Sequence, residues 1–168
     1  MGQSEQIAIE IVKGNTPTQS FRSSASFGKR QEFIAMAELL RRGFDVYTTL
    51  VDDQQIDCIV RQEKGGKVRY LDIQIKARSR TAKQASTFAA MEIRKPRENF
   101  FFIFFSEAAN TYWVMPSLEV IRLANRNKAG ENEGCYSIVF CNETSKGGWS
   151  PRPKFDTFKN AFELLEWR

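Results

Sequence analysis

The chain has 168 residues, of which 42% are hydrophobic and 27% charged, enough for one globular domain with a proper core and too few to expect two. There is no histidine, which excludes a structural zinc site and any Ser-His or Cys-His nucleophile pair. Cys58, Cys135 and Cys141 have neither metal-ligand spacing nor the pattern of a disulfide framework. Net charge is +5, but residues 61–97 hold eleven Lys or Arg against three Asp or Glu, while the remainder holds fourteen against seventeen. That basic stretch attracts polyanions by counterion release, nucleic acid being the commonest inside a cell, although a solvated basic loop would give the same count.

Residues 1–25 are polar and read as an arm, with a hint of a short strand at Ile7–Val12; residues 26–168 read as a single domain. From Ser26 the pattern predicts a helix ending at Gly43. Strands are expected near Phe44–Leu50, Gln55–Arg61 and Val68–Arg78, and the basic stretch Ser79 to Arg97 is expected to be partly helical. The apolar run Phe100 to Phe105 suits a buried strand and is far short of a membrane span, and Thr111–Met115 follows it around a turn at Ala109-Asn110. Then come a short helix over Ser117 to Asn125, a strand over Cys135–Cys141, and a last helix from about Thr157 burying Phe158, Ala161, Phe162 and Leu165. No basic segment followed by an apolar one opens the chain, so a cytoplasmic protein is expected.

The first helix carries two glutamates in different settings. Glu38 shares a face with Gln31 and Arg42 and reads as a solvated salt-bridge residue, with Arg41 and Arg42 as partners. Glu32 shares its face with Met36 and Leu39, one turn after Gly28. A carboxylate at the edge of an apolar stripe is costly unless something cationic or hydrogen-bonding receives it, but near a helix N-terminus it is also a plain surface residue.

The hairpin that follows is the most informative segment. Its return strand alternates, with Leu71, Ile73, Ile75 and Ala77 on one face and Tyr70, Asp72, Gln74, Lys76 and Arg78 on the other. Folding about Gly65-Gly66 pairs positions symmetrically and sets Asp57 opposite Gln74, so an acid, an amide and a lysine share one surface. Such a set suits a site for a metal and a phosphate. Asp72 has two readings: an extra charge for that site, or a partner for Arg69 or Arg61.

A helix glutamate, then Asp57, then Gln74-Ile75-Lys76 resembles the PD-(D/E)xK nuclease superfamily in its QxK form, as in some intron homing endonucleases and Holliday-junction-resolvase-like nucleases. The resemblance covers residues 26–115. It implies an α+β, restriction-endonuclease-like α-β-β-β-α-β core with a mixed central sheet flanked by helices. Ile56 stands where the motif has proline, and Gln74 replaces the second acid.

The implied function is a metal-dependent endonuclease hydrolysing DNA phosphodiester bonds, using Mg²⁺, with Mn²⁺ as a substitute. Asp57 would be the anionic ligand, the Gln74 amide oxygen a neutral one, and the Ile75 carbonyl a third, as in the family. Lys76 would hold the attacking water and stabilise transition-state charge, with Glu32 orienting Lys76 or a water. Arg78, Arg80 and Lys83 would contact the DNA backbone. Because Gln74 lacks the charge of an acid, the alternative is a catalytically inactive nuclease-fold domain that binds nucleic acid. A third reading is a regulatory domain with an incidental basic loop. Sequence-specific cutters of this size often dimerise, which admits a homodimer, and no membrane contact is implied. Trp149, in a Gly/Pro loop beside Arg152, is an exposed contact or a loop-packing residue.

Overall fold

The computed structural model describes residues 24–50, 54–82 and 84–167. The arm over residues 1–23, with its suggested strand, and Lys83 lie outside the described residues. Helix α1 runs Ser24–Arg41 and ends in a Schellman turn. Gly43 takes φ +86°, its N–H donates to the Leu40 carbonyl at 2.9 Å, and the Phe44 N–H reaches back to Leu39 at 3.1 Å. Strands β1 (Asp45–Thr48), β2 (Cys58–Lys64) and β3 (Lys67–Arg78) then form an antiparallel meander. Its tight turn needs positive φ at both central residues, which Gly65 (+58°) and Gly66 (+75°) supply without strain.

From β3 the chain makes a crossover to β5 (Phe100–Ser106), which pairs parallel to β3, and turns back antiparallel into β6 (Thr111–Pro116). The main sheet therefore has the order β1-β2-β3-β5-β6. The stretch over 79–97, expected to be partly helical, holds strand β4 (Thr87–Met91) instead. This strand pairs with β8 (Tyr136–Val139), which also pairs with β7 (Asn125–Arg126), in a second, three-stranded sheet. A partner some fifty residues downstream overrides the local preference. Between these lie α2 (Ser117–Leu123) and, after β8, the small ribbon β9 (Cys141–Glu143) with β10 (Trp149–Pro151).

Two cores flank the main sheet. Ala35, Met36 and Leu39 of α1 cover Cys58, Val60, Leu71, Ile73, Ile75, Phe101 and Ile103 on one face. On the other, Phe100, Phe102 and Phe104 pack with Phe88, Trp113, Ile138, Phe140 and Phe155. The unbroken Phe run follows from this, since β5 is covered on both faces and has no solvent side. Trp113 is fully buried, its ring 4.5 Å from that of Phe140, while Trp149 is half-buried against the same core.

The C-terminal segment differs from expectation. In place of one α-helix there are two 3₁₀ turns, Pro153–Phe158 and Phe162–Leu165, broken at Asn160, which has φ +52°. Asn160 exchanges backbone and side-chain hydrogen bonds with Tyr112, closing the edge of β6. Ala161, Phe162 and Leu165 are buried as expected, while Phe158 is only partly so.

Among the described residues, no helix is long and apolar enough to cross a membrane.

Candidate functional site

The β2–β3 ladder runs from Cys58↔Ile73 to Lys64↔Lys67, the register that the Gly65-Gly66 turn implies. At Asp57 it breaks. The Asp57 N–H donates to the Ile73 carbonyl at 2.9 Å, although Ile73 already pairs with Cys58, so two successive residues face one, as in a β-bulge. Asp57 consequently does not sit directly opposite Gln74. Its carboxylate lies at the end of β2, where Oδ2 accepts the Ile75 N–H at 2.6 Å and takes the place of a missing strand carbonyl. A strand residue's N–H and C=O point to the same edge, so the Ile75 carbonyl opens toward Asp57 as well.

Segment 54–57 is fastened on both sides. Thr49 Oγ1 donates to the Ile56 carbonyl at 2.7 Å, with a longer 3.3 Å contact to that of Asp57. Gln55, held at φ +63°, donates from Nε2 to the Glu92 carbonyl at 3.0 Å and faces the Arg94 N–H through Oε1 at 3.4 Å. A non-glycine residue in the left-handed region persists only where its surroundings hold it there. Neither Thr49 nor Gln55 carries a motif signal: they fall in the expected strands Phe44–Leu50 and Gln55–Arg61, and their roles come from partners distant in sequence.

Gln74 is 3% exposed, and its Oε1 has no hydrogen-bond partner among the described residues. By register it lies beside Phe102, on the sheet face opposite α1, and Lys76 lies on that same face beside Phe104. Glu32 approaches from the other face. Its side chain is 18% exposed, and Lys29 donates to its Oε2 at 2.5 Å. Glu32 and Asp57 line one pocket of about 100 Å³ with Lys29, Phe33, Met36, Thr48, Thr49 and Leu50. Lys76 lines another of about 310 Å³ with Gln55, Arg78, Glu92 and residues 88–91, and makes no hydrogen bond or ion pair with a described residue. The expected convergence is thus partial: the Asp57 carboxylate meets the Ile75 backbone at the end of β2, Gln74 and Lys76 lie on the sheet face opposite α1, and Glu32 stands with Asp57 on the α1 side.

The two acids leave an electrostatic mark on their neighbour. Burial, and then the charges of Asp57 and Glu32, push the Cys58 thiol up to about 12, so it stays protonated and unreactive. Glu38 is the salt-bridge residue its neighbours suggested, bonded by Arg41 and Arg42 at 2.7–2.8 Å.

Asp72 pairs with neither Arg69 nor Arg61. Its Oδ2 accepts from Arg97 Nη2 at 2.5 Å and Nε at 3.1 Å, across 25 residues, a partner that the strand's own neighbours do not reveal. Arg69 instead binds Gln62 and the Leu165 carbonyl, and Arg61 binds Glu63. Arg78 Nε donates to the Thr87 carbonyl at 2.8 Å and secures the start of β4, while Arg80 is exposed with its backbone N–H on Glu107.

Among the described residues, no three His, Cys, Asp or Glu side chains come together to hold a metal ion. The candidate donors are the Asp57 carboxylate at the end of β2, the Ile75 carbonyl beside it, and the Gln74 amide oxygen on the face opposite α1. This is a set of hard oxygens of the kind Mg²⁺ and Mn²⁺ accept while keeping several waters.

The helix, the antiparallel meander and the parallel return strand form an α+β fold with a mixed sheet. It is similar to the structure of a bacterial homing endonuclease, I-Ssp6803I, with a TM-score of 0.57 and 19% sequence identity over 86% of this chain and 93% of that one. D212, a nuclease from a fusselovirus, aligns with a TM-score of 0.43 and 17% identity over 74% of this chain and 82% of that one. No protein-family model matches the sequence, and no curated protein matches it.

Proposed function

We propose that the chain is a metal-dependent endonuclease that hydrolyses phosphodiester bonds in DNA. The carrying observation is the buried Gln74 amide oxygen, unpartnered among the described residues and next in sequence to Ile75, whose N–H the Asp57 carboxylate holds. A buried acceptor left unpaired costs about 1–3 kcal/mol, a cost that a bound cation removes. Asp57 supplies the one negative ligand, and Gln74 and the Ile75 carbonyl supply neutral ones. When bound, Mg²⁺ or Mn²⁺ polarises the phosphate and acidifies water. The Ile75 N–H fixes the Asp57 carboxylate in place. Glu32, with Lys29 as counter-ion, hydrogen-bonds a water at the rim of the acid pocket. Lys76, whose ammonium has no described partner, stabilises charge on the phosphate oxygens from the neighbouring cleft. The likeness to a bacterial homing endonuclease supports DNA as the substrate class, over most of both chains.

A second reading, a nuclease-fold domain that binds nucleic acid without cutting it, is favoured by the neutral Gln74 and by Glu32 already being paired. A plasmid-nicking assay with Mg²⁺ and with Mn²⁺ separates the two. Wild type nicks in a metal-dependent manner, and Asp57→Ala and Lys76→Ala each lose on the order of 10²–10³-fold in rate. Salt-sensitive DNA binding without cleavage by all three proteins would leave the second reading standing.

A further inference from the structure

The connection from β4 to β5 is a cationic strap whose place in the molecule the proposed catalytic residues do not explain. Arg94 and Lys95 are exposed and, with Arg97, line a cleft of about 270 Å³ shared with Gln54, Gln55 and Phe100. Gln55 is also a wall of the Lys76 cleft, so the two clefts adjoin across one side chain. Among the described residues their combined lining carries Lys76, Arg78, Arg94, Lys95 and Arg97 against a single acid, Glu92, which pairs with Arg94 at 2.9 Å.

The strap is anchored at both ends. At Arg94 the backbone meets Gln55. At Arg97 the N–H donates to Ser117 Oγ and the carbonyl accepts from it, both at 2.9 Å, while the guanidinium binds Asp72 and lies 4.8 Å over the Phe100 ring. Pro96 restricts the backbone between them. Cations presented on a fixed backbone lose little freedom when they meet an anion.

We infer that this strap is a contact surface for the nucleic-acid backbone, with Arg94 and Lys95 binding phosphates that neighbour the one held at Lys76. The inference rests on the nuclease reading for the identity of the polyanion. It adds the 94–97 strap to the track expected at Arg78, Arg80 and Lys83; Arg78 donates to the Thr87 carbonyl, and Arg94 carries an ion pair to Glu92 at 2.9 Å that a phosphate would share or displace.

The test is binding of a fluorescein-labelled DNA duplex, followed by anisotropy in EDTA across a salt series, with plasmid nicking run in parallel. Two lost phosphate contacts make the slope of log affinity against log salt shallower by about 1.8 in Arg94→Ala/Lys95→Ala. Lys128→Ala/Lys146→Ala removes the same charge from exposed lysines that line neither cleft, and keeps the wild-type slope. Equal slopes for wild type and Arg94→Ala/Lys95→Ala, or no salt-dependent binding by wild type, would overturn the inference. Nicking reports separately: a shallower slope without nicking sinks the nuclease reading and leaves the strap, and nicking with an unchanged slope does the reverse.

Discussion

The two sides of segment 54–57 carry opposite charge. On the α1 side, Glu32 and Asp57 line a small pocket with Lys29 as its only cation among the described residues. On the other side, among the described residues, five Lys or Arg line two adjoining clefts with Glu92 as the only acid. A single sheet end, where β2 begins at Cys58 rather than at the expected Gln55, separates a place suited to a cation from a place suited to a polyanion. Pairing is nonetheless present on both sides: Lys29 bonds Glu32, Arg94 bonds Glu92 and Arg97 bonds Asp72, while Lys76 makes no hydrogen bond or ion pair with a described residue.

Gln74→Glu presses hardest on this division. It puts a carboxylate at a position that is 3% exposed, at the boundary between the two sides. Without metal the expected loss of stability is about 1–3 kcal/mol. In a chain of this size each kcal/mol lowers the melting temperature by roughly 2–4 °C. Millimolar Mg²⁺ should restore it, because an ion bound only to the folded state stabilises by mass action. Melting temperatures of this variant that ignore Mg²⁺ would remove Gln74 from the metal set.

Glu38 provides the contrast of an acid satisfied by side chains alone. Arg41, and then Arg42, hold its carboxyl down to about 2 from an ordinary 4.5. A depressed folded-state value means a stabilising contribution that is full above pH 4.5 and disappears as pH falls toward 2. The pair is near the surface and screened, so Glu38→Gln should cost at most about 1 kcal/mol at pH 7. Urea melts of both proteins at pH 7 and pH 3 should show that difference shrinking with acid.

Gly28→Ala has the smallest effect. A Cβ there meets no described atom within 4 Å, and alanine in a helix interior gains about 0.5–1 kcal/mol over glycine. Stability should rise with nicking unchanged. A loss of nicking would place substrate against the α1 side, contrary to the division drawn above.

Much of this arrangement is legible in the sequence where the forces are local. The Gly65-Gly66 turn and the alternation of Leu71, Ile73 and Ile75 set the ladder's register, and the Phe run announces a doubly covered strand. Gly43 marks the end of α1. What fails to show is what distant partners decide. The bulge that moves Asp57 off its position opposite Gln74 depends on Thr49 and on Gln55 meeting residues 92–94. β4 exists because β8 accepts it, and the C-terminal 3₁₀ turns because Tyr112 presents an open edge. Asp72 finds Arg97 only once β3 and β5 lie side by side.

The central claim, that the acid side holds the metal and the basic side the phosphate, is tested most directly by Mn²⁺ binding followed by electron paramagnetic resonance. The variants are Asp57→Asn, which keeps an oxygen for the Ile75 N–H, and Lys76→Ala. Loss of bound Mn²⁺ in Asp57→Asn with wild-type binding in Lys76→Ala is the predicted result. Mn²⁺ binding that Asp57→Asn leaves untouched would contradict it.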